Sequence, residues 1–244
     1  VEVGRGTAVG AVTPAEHAAA LLDDDPPVGY PVSLAATVKI TLDRVAAVDP
    51  AGVQVMGVCA MLAPEPVPVA WLRHPKAGLP EPLAGVVGQT MALRRTLRRL
   101  VDYGLARIDT DAIQVHRLTQ AIIGDQQPAE PRQALHRHAQ HLVAAAEPDN
   151  DGSDPGSWSA WALLLPHLLA LDPTTADQAL RSTACNALYY LLMRGQYHTA
   201  LPLADTWHQH WRDTHGPDHD HTLGAAHQLA IAHRLLGNYR QARE

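Results

Sequence analysis

Phenylalanine is missing from all 244 residues, aromatic side chains make up 5%, and the only lysines are Lys39 and Lys76. With the apolar mass left to Ala, Leu and Val, close-packed helices are favoured over a sheet core, because Ala and Leu are strong helix formers and Ala lets helices approach closely. Two cysteines, Cys59 and Cys185, are too few for a disulfide framework and lack metal-ligand spacing, which points to a reduced, intracellular chain with both thiols in the core. No run of 18 apolar residues occurs, and Val1-Glu2-Val3-Gly4 has no signal pattern. A soluble, cytoplasmic protein with no membrane partner is expected. The formal charge of −6 argues against attachment to nucleic acid by bulk charge. No Gly-x-Ser-x-Gly and no Gly-x-x-x-x-Gly-Lys-Ser/Thr is present; Gly4-Arg5-Gly6-Thr7-Ala8-Val9-Gly10 is glycine-rich but has no lysine after it. Neither nucleophilic catalysis nor ATP hydrolysis is expected of this chain, so no catalytic residue is assigned. It starts without Met and stops at Arg243-Glu244 inside an amphipathic pattern, so a piece of a larger protein is expected.

What is present reads as punctuated helices. Residues 1–31 form a linker with one short helix from the cap Thr13-Pro14 to about Leu22, closed by Asp23-Asp24-Asp25-Pro26-Pro27. Ser33 and then Asp49-Pro50 open two helices, running to Val48 and to about Leu62. Six prolines between Pro64 and Pro82 allow only one helical turn, near Val69 to Leu72. A third long helix spans about Gln89 to Tyr103, with Leu93, Leu97 and Leu100 inward, and Gly104 stops it. Leu105 to Asp109 and Ala112 to His116 alternate on both sides of Thr110-Asp111, the pattern of a hairpin. Helices, then a hairpin, is the order of a winged helix, assigned to 32–127. A helical connector over 128–173 follows, with helices from Pro131 to Ala146 and from Trp158 to Leu171, and helical hairpins from Thr174 onward.

The last seventy residues repeat. Gly195-Gln196-Tyr197-His198-Thr199-Ala200 matches Gly237-Asn238-Tyr239-Arg240-Gln241-Ala242 at a period of 237 − 195 = 42. Glycine ends a first helix, tyrosine packs in the turn, and alanine admits the second helix. Gly195, Tyr197, Ala200, Gly237, Tyr239 and Ala242 are therefore the expected packing residues. They resemble the tetratricopeptide repeat, with Gly216-Pro217-Asp218-His219-Asp220-His221-Thr222 as the linker of its long variety. The fold class expected is mainly α: a winged helix with one β-hairpin, a helical connector, and a tetratricopeptide-type superhelix over 174–244. Such a superhelix presents a concave face to a protein or peptide partner.

Four further segments, in order, resemble the C-terminal part of bacterial NB-ARC-type STAND signal-transduction ATPases. They are Cys59-Ala60-Met61-Leu62-Ala63-Pro64-Glu65-Pro66-Val67-Pro68, Gln114-Val115-His116-Arg117-Leu118-Thr119-Gln120-Ala121, Leu164-Leu165-Pro166-His167 and the repeat linker. The resemblance implies that His116, at the end of the hairpin, contacts the phosphates of ADP bound to a nucleotide-binding domain of the parent protein, whose nucleotides are ADP and ATP. This chain would itself carry no cofactor. Histidine supplies a donor suited to an anion, although at such a junction it also commonly bonds the local backbone.

Two further clusters suggest other sites. Arg94, Arg95, Arg98 and Arg99 lie on the third helix of the winged helix, the one that enters a DNA major groove, so a DNA-binding regulator is the alternative. Leucines interleaved with those arginines and a lack of stacking aromatics favour a solvated face, and nucleic acid is not the expected partner. His208, His210, His215, His219 and His221 invite a metal, but His208 and His210 diverge on a helix and no cysteine or glutamate lies close by. No metal site is expected.

Overall fold

The computed structural model describes residues 33–74, 77–150 and 152–243. The expected helix after Thr13 and the Asp23-Asp24-Asp25 linker lie outside the described residues.

The first two helices form where their caps require. Ser33 Oγ accepts the Ala36 amide at 3.2 Å to start α1 (Leu34–Val48), and Asp49 Oδ1 accepts the Gly52 amide at 3.2 Å to start α2 (Pro50–Ala60). Helix α2 carries Val55, Met56, Val58 and Cys59 at 1% exposure or less, so it is buried around most of its circumference and serves as the axis of the N-terminal half. Burial pushes the Cys59 thiol up to about 12, and burial with the nearby Glu147 carboxylate does the same to Cys185, so neither is a nucleophile at neutral pH.

Past α2 the chain departs from the sequence reading in the proline-rich stretch. Val67–Pro68 is a strand, β1, followed by the expected turn α3 (Val69–Leu72) and by a further short helix, α4 (Leu83–Val87). Proline is tolerated in β1 because the strand lies at a sheet edge, where one missing N–H costs no ladder bond. Gln54 of α2 anchors α4, donating to the Glu81 carbonyl at 2.6 Å and accepting from the Leu83 amide at 2.9 Å. Helix α5 (Thr90–Asp102) then buries Leu93, Leu97 and Leu100.

The hairpin strands are β2 (Arg107–Asp109) and β3 (Ala112–Gln114), shorter than the alternation suggests. Thr110 and Asp111 both have positive φ (46° and 67°), as a two-residue turn matched to the strand twist requires. The sheet order is β1-β3-β2, all antiparallel, with the fully buried Ile113 facing Val67 on one side and Ile108 on the other. Helix α6 (Arg117–Gln126) follows at once and is pinned to the end of α2 by the buried Gln120, whose amide donates to the Cys59 carbonyl at 2.7 Å.

Helix α7 (Ala129–Ala145) crosses α2 closely: a Cβ at Gly57 would stand 2.9 Å from Leu135 Cδ2. A short 3-10 turn (Pro155–Ser157) leads into α8 (Trp158–Ala170), which carries Pro166 within it. The C-terminal part consists of α9 (Gln178–Met193), α10 (Tyr197–His215), α11 (Asp220–Leu235) and a 3-10 turn at Gln241–Arg243. Helix α11 packs on both α9 and α10. Glu147, just past α7, ties the two halves together by accepting from Thr183 Oγ1 and Asn186 Nδ2 of α9, each at 2.6 Å. No described helix is long and apolar enough to cross a membrane.

Candidate functional site

His116 sits where β3 gives way to α6. Its backbone is extended (φ −63°, ψ 135°), and its Nδ1 accepts the Leu118 amide at 3.3 Å, so the imidazole caps α6. With Nδ1 acting as acceptor, the neutral ring holds its proton on Nε2. The ring is exposed and lines a groove of about 480 Å³ with Pro64, Leu105, Arg107, Arg117 and Thr119. The first turn of α6, an imidazole and two guanidinium groups make this groove rich in donors and suited to an anion. Arg107 is held loosely by the exposed Asp109 at 3.7 Å. Local capping and a ligand contact are thus compatible uses of one ring, since they draw on different nitrogens.

The four arginines of α5 separate into different roles. Arg94 and Arg95 are exposed, and Arg98 faces Asp102 one turn on at 3.9 Å. Arg99 is committed inward: its guanidinium donates to Asp49 Oδ2 at 2.8 Å, and Thr96 Oγ1 donates to the same oxygen at 2.9 Å. Of the four arginines named in the DNA-binding alternative, Arg99 is thus the one engaged by a buried carboxylate. Asp49, 6% exposed, needs a counter-charge after its burial, and Arg99 supplies it.

The repeat residues also differ between their two copies. After α9, the Gln196 amide donates to the Leu191 carbonyl at 2.9 Å and the Gly195 amide to Leu192 at 3.0 Å. After α11, Asn238 donates to His233 at 2.9 Å and Gly237 to Arg234 at 3.1 Å. These are the same doubly bonded helix ending, and it needs a left-handed residue, as the φ values of 78° at Gly195 and 80° at Gly237 show. Residues 180–244 match the family model of the tetratricopeptide repeat. Comparison with curated proteins and with solved structures gives no match. Within the tetratricopeptide segment, Ala200 is fully buried and Tyr197 half-buried, whereas Ala242 is only half-buried and Tyr239 is 66% exposed. The packing role expected of Tyr239 is thus not realised in the described residues, where only a 3-10 turn follows it. Tetratricopeptide repeats generally serve protein interaction, so this segment is the part of the chain suited to a protein or peptide partner.

Sequence reasoning missed two features. His167 of α8 is fully buried beneath Trp71 of α3, with ring centroids 5.3 Å apart at 83°, and neither ring nitrogen makes a well-formed hydrogen bond, the Pro66 carbonyl being the backbone acceptor that acts on the ring. At the α10–α11 junction His219 stacks on His215, with ring centroids 4.9 Å apart, and lies tilted against His221 at 5.2 Å. A cluster of histidines was legible there, but the contact between rings was not. Among the described residues no three metal-ligating side chains are grouped to hold a metal ion.

Proposed function

We propose that this chain is the regulatory, partner-binding part of a STAND-type ATPase, in which residues 32–127 are a winged helix that senses the nucleotide and the tetratricopeptide repeats receive a protein. The observation that carries the reading is the placement of His116, an exposed ring at the exit of a β1-β3-β2 sheet, in a groove lined by Arg107 and Arg117. A winged helix has this strand order, and the groove offers a phosphate Nε2–H, guanidinium groups and a helix N-terminus. Helix α7 packs on α2 and on α9, and so provides a rigid path from this groove to the repeats. The chain performs no catalysis alone, because no phosphate-binding loop with its lysine occurs in the sequence.

The test is His116→Ala in a protein that also carries a nucleotide-binding domain. Loss of one charge-assisted phosphate contact of about 1.5–3 kcal/mol should speed ADP release by at least about tenfold. Unchanged retention of ADP would remove the nucleotide-sensing reading. Duplex-DNA binding by this chain, lost in Arg94→Glu with Arg95→Glu, would favour the transcriptional-regulator alternative. The inward commitment of Arg99 and the pairing of Arg98 weigh against it.

A further inference from the structure

A second groove, of about 590 Å³, is larger than the one at His116 and shares no residue with it. It lies where α7 meets the loop between α8 and α9. Gln133, His136 and Gln140 recur every three or four residues along one face of α7, Arg132 and Arg137 flank that line on opposite sides, and Thr175 enters from the loop. No carboxylate lines the groove, and both guanidinium groups are exposed, with no ion pair or hydrogen bond among the described residues. Behind them the groove is built on a buried amide: Gln140 is 4% exposed, and its Nε2 donates to His136 Nδ1 at 3.2 Å. An amide nitrogen only donates, so Nδ1 is the acceptor and the neutral imidazole carries its proton on Nε2. Burial lowers the His136 pKa, Asp172 opposes this and Arg132 adds to it, so the ring is neutral at neutral pH. The carboxylates around the groove are already engaged. Asp172 accepts from the Thr174 amide at 3.1 Å and hydroxyl at 2.6 Å, and Asp177 caps α9 and meets His141, one turn past Arg137, at 3.0 Å.

We propose that this groove binds a small molecule carrying two oxyanion groups, phosphate or carboxylate, with Arg132 and Arg137 each taking one and Gln133, the His136 Nε2–H and Thr175 donating between them. Two guanidinium groups on opposite sides of one helical stripe suit separated charges better than a single ion, because each can hold an oxyanion through paired N–H donors. The volume falls within the range of about 300–1,000 Å³ that small-molecule sites occupy. A lone phosphate would leave most of it to water. Thr175 precedes α9, the first helix of the repeat segment, and α7 packs on α9, so a bound molecule would bridge the N-terminal half to the repeats. The site does not depend on the role of His116.

The experiment is a titration of the whole chain with pyrophosphate, succinate or inorganic phosphate at matched ionic strength and neutral pH. Binding is followed by NMR at the side-chain amides of Gln133 and Gln140, while the Leu118 amide reports on the His116 groove. Saturable shifts at both glutamines are expected with pyrophosphate or succinate, and the tighter of the two gives the anion class. Inorganic phosphate reaches only one guanidinium and should bind at least about tenfold more weakly. Arg132→Gln and Arg137→Gln, at exposed positions where the fold is not at stake, should each weaken binding at least about tenfold. Arg44→Gln, at an exposed position of α1, should leave it unchanged. The proposal is overturned by an absence of saturable shifts at the two glutamines, by shifts confined to Leu118, or by inorganic phosphate binding as tightly as the better two-anion probe. An affinity unaltered in Arg132→Gln and Arg137→Gln, or lowered as much in Arg44→Gln, would overturn it as well.

Discussion

Asp49 and Arg99 meet at 2.8 Å beneath the N-terminus of α2, 50 residues apart in sequence, and the same carboxylate caps that helix through its other oxygen. One side chain therefore fixes α2 and α5 against each other, which aligns the helices that support the sheet and the His116 groove. Asp49→Ala should destabilise the chain by about 3 kcal/mol, combining a lost cap with a guanidinium and the Thr96 hydroxyl left without their acceptor. Arg95→Ala should change stability by less than about 0.5 kcal/mol. Urea unfolding followed by circular dichroism measures both, and equal effects would show that the pair is unimportant.

His167 makes stability depend on pH. Burial holds its pKa below the usual 6.5, and the Pro66 carbonyl and Glu65 carboxylate offset only part of that. Its folded state therefore binds fewer protons than the unfolded chain, and the sign is fixed: stability is constant above about pH 6.5 and falls as the pH drops below it. His167→Leu should flatten this slope between pH 6.5 and 5 and, at pH 8, keep stability within about 1 kcal/mol, because no well-formed hydrogen bond to either ring nitrogen is lost. Thermal melts across pH check it, and an unchanged slope would refute it.

Gly152 lies where the loop after α7 touches α9. A Cβ there would stand 2.4 Å from Tyr190 Cα, a backbone atom that cannot turn aside, and the Gly152 carbonyl accepts the Trp158 indole N–H at 3.0 Å. Gly152→Ala should cost at least about 2 kcal/mol, in the range of an overpacked core. Gly88→Ala, where nothing lies within 4 Å and φ is −66°, should cost nothing measurable. The contrast between the two in denaturant midpoint is the observable.

The two repeat tyrosines should respond unequally. Tyr197→Ala removes a ring packed against the core and should cost about 2 kcal/mol, whereas Tyr239→Ala, at 66% exposure, should cost less than about 0.5 kcal/mol. Gly195→Ala and Gly237→Ala should each cost about 1 kcal/mol, since both hold φ near 80°. A larger effect at Tyr239 than at Tyr197 would contradict the packing described.

The sequence by itself determined the local events. Ser33, Asp49 and Asp177 each bond an amide three residues on, Gly195 and Gly237 end helices through bonds within six residues, and the spacing of Leu93, Leu97 and Leu100 sets one buried face of α5. All of these are set by interactions short in sequence, so composition and spacing carry them. Tertiary structure alone decided that Val67–Pro68 joins the sheet, that Arg99 turns inward and that His167 is buried under Trp71. Each depends on a partner tens of residues away, and whether burial leaves a charge or a ring nitrogen paired or unpaired is a property of the packed molecule.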